Sequence, residues 1–182
     1  MSKLSQAIAE GDGISFIVEV SDSAGAKSAE TQGADGLAVI TNANSVRMTS
    51  ALPLLHLGHL FDAQGSASDA VVIKPDLAMW DEGHALGLEC VVRVRESSEL
   101  ERVLRYFDPE VFLLSVSEDA DDDPLTVLLD LLHDVPAGKL AIAELHDATP
   151  EDVSELERSG VDAVLVSHGV IATLMPADPP EV

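Results

Sequence analysis

The stretch from residue 139 to residue 171 constrains the fold more than any other, because it predicts two buried strands joined by one short helix. Residues 139–145 and 162–166 are mostly apolar and have the length of buried strands. Thr149 is suited to cap the helix between them, and Gly160 is suited to end it. A strand, a helix and a second strand of these lengths predict a parallel pair with a right-handed crossover.

The same alternation of apolar runs and helical patterns extends back through the chain. Eight strands are predicted, at residues 14–20, 36–40, 52–57, 70–73, 88–94, 111–116, 139–145 and 162–166. Helices are predicted at residues 4–10, 23–32, 76–86 and 125–133, with two more that are capped by Ser98 and Thr149. The segments after the second, third and eighth strands have room for little more than a helical turn or a loop.

This pattern predicts an α/β fold, a compact (β/α)₈ TIM barrel with shortened or missing outer helices, in one domain over residues 1–182. Such barrels typically contain about 250 residues, whereas this chain has 182 residues. The alternative is an open doubly wound sheet, which needs fewer strands. The number of predicted strands favours the barrel.

Composition excludes several classes of function. The net charge is −23, from 33 acidic and 10 basic residues, and such a field repels nucleic acid and anionic membranes. No apolar run approaches the ~20 residues of a membrane span, and the first residues lack the apolar core of a signal peptide. Cys90 is the single cysteine, so no internal disulfide forms. We predict a cytoplasmic protein that needs no cofactor and binds neither nucleic acid nor membrane; the sequence does not determine its oligomeric state, and we favour a monomer.

Three segments, in the right order, carry a resemblance to one enzyme family. They are LSQAIAEGDGISFIVEV at the first strand, LGLECVVRVRESSELERVL at the fifth, and TPEDVSELERSGVDAVLV before and within the eighth. Together they resemble the indole-3-glycerol phosphate synthases of tryptophan biosynthesis. The resemblance implies a TIM barrel and a carboxy-lyase activity, in which a phosphorylated aryl-amino sugar is decarboxylated and closed into a ring.

The resemblance also implies catalytic positions, of which this chain keeps two. Glu19 on the first strand and Glu144 on the seventh match family glutamates, and we take them as candidate catalytic residues. The third-strand lysine is replaced by Leu57, the fifth-strand glutamate by Arg93 and the sixth-strand asparagine by Ser115. Leucine cannot donate a proton, and arginine, which stays protonated, cannot act as a base. We therefore expect a synthase-like barrel without synthase activity.

The family's phosphate site lies at the exit of the eighth strand, where this chain has Ser167, His168 and Gly169. Their backbone N–H groups are candidate donors to a phosphate, and Lys74, at the end of the fourth strand, is a candidate partner for its charge. The sequence thus predicts a small phosphorylated ligand as a partner.

Further polar residues are expected around the mouth of the barrel. Arg93, Ser115, His59 and His146 lie at or just beyond strand ends. Arg93 is expected to pair with Glu19 or Glu144, either as part of a polar pocket or as a buried ion cluster that only supports the fold, and we favour the cluster. Histidines at three strand ends raise the hypothesis of a metal site, but no paired spacing supports it, so no metal is predicted.

Three hypotheses follow from the sequence. The first is a family-like barrel that has lost the synthase reaction and binds a ligand or a partner. The second is an active carboxy-lyase with rearranged groups, in which His59 or His168 donates the proton. The third is a metal-dependent enzyme that uses the histidines. Turnover of the family's substrate separates the first two, and metal analysis separates the third.

Overall fold

A computed structural model describes residues 4–117 and 120–174 of the chain. Eight parallel strands pair in chain order, and the eighth pairs with the first to close the barrel. The strands are β1 (Ser15–Glu19), β2 (Gly36–Val39), β3 (Leu54–His56), β4 (Ala70–Ile73), β5 (Glu89–Val94), β6 (Val111–Leu114), β7 (Leu140–Glu144) and β8 (Ala163–Ser167). The predicted (β/α)₈ TIM barrel is confirmed, and the open-sheet alternative is wrong.

Helices surround the barrel unevenly. They are α1 (Leu4–Ala9), α2 (Ser23–Thr31), α3 (Ala43–Arg47), α4 (Leu60–Ala63), α5 (Leu77–Ala85), α6 (Ser97–Tyr106), α7 (Pro124–Asp134), α8 (Pro150–Ser159) and α9 (Ile171–Leu174). Those after β2, β3 and β8 have five, four and four residues. This is how a short chain completes eight repeats, as the sequence predicted. No helix in the described part of the chain is long and apolar enough to cross a membrane.

The interior of the barrel is filled by alternate residues of the strands, because successive side chains of a strand point to opposite faces. This inner layer is aliphatic and buried, and it consists of Leu4, Ile8, Ile17, Ala38, Leu55, Ala70, Val72, Val91, Val111, Leu113, Ile142, Ala163 and Leu165. Leu4 and Ile8 come from α1, which therefore closes the N-terminal end of the barrel. Gly36 leaves the space in which the Leu4 and Ile17 side chains pack.

A second apolar layer lies between the strands and the helices. In helix α8, the sequence determines where the helix begins and where it ends. Thr149 and Asp152 form the predicted capping box, and Gly160 ends the helix in the left-handed region at φ 95°. Val153 and Leu156 of this helix are buried, so its apolar stripe faces the barrel.

One local prediction is wrong. Ser98 is not the N-cap of α6, which has Glu96 at that position and begins one residue before Ser98. The Glu99 carboxylate accepts a hydrogen bond from the Arg95 N–H, so an acid in the first turn satisfies the backbone there instead. The prolines after the last strand, at 176, 179 and 180, lie outside the described residues.

Candidate functional site

Polar side chains lie together at the C-terminal mouth of the barrel, because the last inward-facing residue of several strands is polar. On β5 the inward residue after Val91 is Arg93, and on β7 the inward residue after Ile142 is Glu144. Glu19 ends β1 by the same rule, and Ser115, which directly follows β6, is buried. On these four strands the last inward position is therefore polar, whereas the layers below it are aliphatic.

Glu144 is the centre of this layer. Its Oε1 atom lies 3.0 Å from Nη2 of Arg93 and 3.5 Å from Nε2 of His146. Its Oε2 atom accepts a hydrogen bond from the Ser115 hydroxyl. Burial alone would raise the pKa of Glu144, but the contacts with His146, Ser115 and Arg93 outweigh burial and lower that pKa. Glu144 is thus an engaged carboxylate, and the ion pair expected for Arg93 is formed with it.

His146 connects the two glutamates of the mouth. Its Nδ1 atom lies 3.5 Å from Oε2 of Glu19, while its Nε2 atom faces Glu144. The Glu144 contact is the main cause that raises the pKa of His146, and the negative charges of Glu19 and Asp147 act in the same direction. The imidazole is 42% exposed, so it is the member of this group that a ligand reaches most easily.

We call Glu19, Arg93, Ser115, Glu144 and His146 the mouth cluster. Two carboxylates face one guanidinium and one imidazolium, so the cluster is electrically neutral when His146 is protonated. Of the site residues predicted from the sequence, the structure brings these five together. The contact between Glu144 and His146 has a local origin that the sequence contains, because His146 lies only two positions after the last residue of β7.

A cavity of about 600 Å³ opens beside the mouth cluster, toward the first turns of α7 and α8. Asp123, Asp147 and Asp152 line it together with Arg93, Glu144 and His146. Asp123 accepts a hydrogen bond from the Thr126 N–H, and Asp152 occupies the capping box of α8. The helix ends that would attract an anion are therefore already occupied by the chain's own carboxylates.

The residues predicted to bind phosphate are not in one place. Lys74 follows β4, which lies four strands from β8 and therefore on the opposite side of the barrel. His168 lines a cavity of about 430 Å³ together with two acids, Glu19 and Asp22. The chain after Ser167 turns into α9, a helix of four residues, which is too short for an N-terminal anion site. Lys74 cannot assist a phosphate held at residues 167–169.

The histidines do not converge either. His59 is exposed at the start of α4, on the β3 side of the mouth, and His146 and His168 lie on the β7 and β8 side. Within residues 4–117 and 120–174, no three side chains of the types that bind metals are grouped closely enough to hold an ion. The hypothesis of a metal centre built from these histidines has no geometric support.

Comparisons with known proteins agree with the fold and with the family resemblance. No protein-family profile matches the chain. Indole-3-glycerol phosphate synthase from Geobacillus sp. (strain WCH70) is 25% identical over 171 residues, which cover 80% of this chain and 66% of that protein. The enzyme of the same name from Variovorax paradoxus (strain S110) is 29% identical over 145 residues, which cover 72% of this chain and 54% of that protein.

Among solved structures, the N-acetylmannosamine-6-phosphate 2-epimerase from Clostridium perfringens superposes with a TM-score of 0.71 at 14% identity. The match covers 89% of this chain and 88% of that chain, and at this identity it concerns the fold alone. This chain spans between about half and two thirds of the length of the two synthases compared above. It is thus similar in sequence to indole-3-glycerol phosphate synthases over most of its own length, and it folds as a (β/α)₈ barrel.

Proposed function

We propose that this protein is an indole-3-glycerol phosphate synthase-like barrel that does not catalyse the synthase reaction and uses its mouth to bind a small ligand. The observation that carries the proposal is the state of Glu144. This family-like glutamate has both carboxylate oxygens engaged, by Arg93 and His146 on one side and by Ser115 on the other. A carboxylate held in this way supports a charge cluster and does not attract a substrate proton.

The second support is the chemistry that the third and fifth strands offer. Ring closure requires a proton donor beside a departing hydroxyl, and the lysine position carries the aliphatic Leu57. It also requires a base, and the fifth-strand position carries Arg93, whose guanidinium stays protonated. Loss of one group that stabilises developing charge typically costs a factor of about 100 or more in rate, so two such losses leave little of the reaction.

The third support is electrostatic. The cavity beside the mouth cluster is lined by four acids against two arginines and His146, the cavity beside His168 is lined by two acids, and the whole chain carries a charge of −23. A substrate with a phosphate and a carboxylate would lose affinity and association rate in this field. Glu19 and Asp22, which line the cavity at His168, oppose an anion most directly.

A rearranged carboxy-lyase is the second candidate, and one observation favours it. His146 lies between two carboxylates that raise its pKa, and it is accessible from the mouth, so it is placed to donate a proton near neutral pH. The sequence predicts His59 or His168 as the proton donor of such an enzyme. The geometry favours His146, because it alone among the three contacts the retained glutamates.

Turnover of the family's carboxyphenylamino-deoxyribulose phosphate substrate tests the proposal. The purified chain is incubated with the substrate, and indole fluorescence is followed at enzyme concentrations that span two decades, beside an active synthase as a positive control. We expect no signal above the rate without protein. A signal proportional to enzyme, lost in His146→Ala and kept in His84→Ala on the outer helix α5, would overturn the proposal in favour of the rearranged lyase.

A further inference from the structure

The exposed apolar side chains of this protein are concentrated on one side of the barrel. In the described part of the chain, six large apolar residues expose more than a third of their surface, and two of these lie on α6. The other four lie in the repeats of β2, β3 and β4, and we call them the apolar face. They are Ile40, Met48, Phe61 and Leu77, with exposed fractions of 53%, 88%, 78% and 55%. A single exposed apolar side chain is ordinary, whereas four on one side indicate a surface that a partner covers.

The segments that carry the apolar face are packed against one another. The strands β2, β3 and β4 lie side by side, so the segments that follow them are neighbours too. A Cβ atom at Gly58, just before α4, would lie only 2.7 Å from the carbonyl oxygen of Ile40. Arg47, at the end of α3, donates a hydrogen bond from Nε to the carbonyl oxygen of Ala67, which follows α4. The apolar face is therefore one side of the molecule and not a set of separate positions.

The area of the apolar face is large enough to matter for association. At about 200 Å² for a large side chain, the exposed fractions give on the order of 500 Å² of apolar surface. The largest apolar patch of a typical monomer measures about 300–600 Å² and is often functional. A specific interface buries about 800 Å² on each partner, so these four residues supply more than half of that area. The polar residues around them would supply the rest.

The same side of the barrel also has the fewest acids. Residues 36–61 contain no aspartate or glutamate, and this is the longest such run in a chain that has 33 acids in 182 residues. Of the two acids that follow, Asp62 is exposed and Asp69 is paired with Arg47. Two copies that each carry a charge of −23 repel one another wherever their acids meet. They approach with the least repulsion through this side.

We propose that the apolar face is the contact surface of a two-fold symmetric dimer of this chain. A two-fold axis places the face on itself, so apolar carbon packs on apolar carbon and no two acid-rich surfaces meet. A head-to-tail contact with an acid-rich side of the next copy would leave apolar side chains uncovered and would not close. The sequence alone favours a monomer, and the exposed apolar side chains are the structural reason to propose a dimer. The inference goes beyond the proposed function and does not depend on it.

Sedimentation velocity of the whole chain, from about 5 to 500 µM protein and from about 0.05 to 0.5 M NaCl, tests this proposal. We expect a monomer–dimer equilibrium with a Kd of about 1–100 µM, because the interface is small. The Kd should fall at least about threefold as salt rises, because salt screens the repulsion between two negative copies. A monomer at every protein and salt concentration would assign the apolar face to a different partner and overturn the proposal. Assemblies larger than a dimer, or a Kd that rises with salt, would indicate a head-to-tail contact and overturn it as well.

Variants that add an acid to the apolar face locate the interface. Phe61→Asp and Met48→Asp should each raise the Kd at least about tenfold, since the two-fold axis brings the new charge in from both copies. Tyr106→Asp is the matched control, because Tyr106 is 64% exposed on α6, outside the apolar face, and the substitution changes the net charge equally. Unchanged dimerisation in Tyr106→Asp supports the proposal.

Two results with these variants would contradict the proposed interface. A rise in Kd for Tyr106→Asp as large as that for Phe61→Asp would assign the effect to net charge. An unchanged Kd in both Phe61→Asp and Met48→Asp would place the contact elsewhere. All three positions are exposed, and thermal melts confirm that the variants are folded.

Discussion

Replacement of Arg93 by methionine tests whether the mouth cluster supports the fold. The substitution keeps much of the side-chain volume and removes the guanidinium from Glu144, whose side chain is 15% exposed. Removal of one partner from a buried ion pair typically costs about 3–5 kcal/mol. Glu144 keeps the Ser115 hydroxyl and His146, and Arg93 itself is 20% exposed, so we expect a loss of about 2–3 kcal/mol in the free energy of unfolding.

Urea unfolding at pH 7, followed by far-ultraviolet circular dichroism, measures this loss. The matched control is Arg158→Met, which breaks the exposed pair with Glu155 and should cost less than about 1 kcal/mol. The double variant Arg93→Met with Glu144→Met should recover most of the lost stability, because it removes the stranded carboxylate as well.

Two results would refute the reasoning. If Arg93→Met lowers the free energy of unfolding by no more than Arg158→Met does, the mouth cluster is solvated and does not stabilise the fold. If the double variant is less stable than Arg93→Met by a further additive amount, the two side chains act independently. Either result would also weaken the argument that Glu144 is too firmly engaged for catalysis.

Two further predictions concern pH. The pKa of His146 is raised in the fold, mainly by Glu144 and further by Glu19 and Asp147, so its contribution is present below the unfolded value of about 6.5 and is lost as pH rises through the folded pKa. Urea midpoints of wild type and His146→Ala should therefore differ more at pH 6 than at pH 8.5, and a constant difference would contradict this. Burial lowers the pKa of His56, which is 2% exposed and has both ring nitrogens unpaired among the described residues, so stability should fall as pH drops from about 6.5 through the folded pKa. His56→Met should show a flatter decline over that range, and parallel curves for the two proteins would refute it.

The sequence could predict the barrel because each strand is a short apolar run with turn signals around it. Alternation along β5 and β7 also placed Arg93 and Glu144 on the inner face, and their charges made the pair predictable. These are local properties of single strands. Once eight strands were predicted, their order alone specified which strands lie side by side.

The features that could not be predicted depend on contacts between strands and on which of several neighbouring residues caps a helix. The opposite positions of Lys74 and His168 do follow from the predicted strand order, because β4 and β8 are four strands apart in a closed barrel of eight. The start of α6 was misplaced because serine is a preferred N-cap, whereas the helix has Glu96 at that position and the Glu99 carboxylate pairs with the backbone N–H of Arg95. Arg95, one residue beyond the end of β5, lines the cavity beside the mouth cluster and was not predicted as a site residue, although it lies two positions after Arg93.

The helices cover the strands unevenly, and this determines which strands open locally most easily. Helices α3 and α4 cover β2 and β3 with a single turn each, whereas α6 and α7, with ten and eleven residues, cover the strands from β5 to β6. Amide exchange should accordingly be fastest along β2 and β3 and slowest along β5 and β6, since local opening follows the number of buried apolar contacts. The ends of β3 and β5 therefore belong to parts of the barrel with different local stability, and a ligand that contacted both ends would slow exchange along β3.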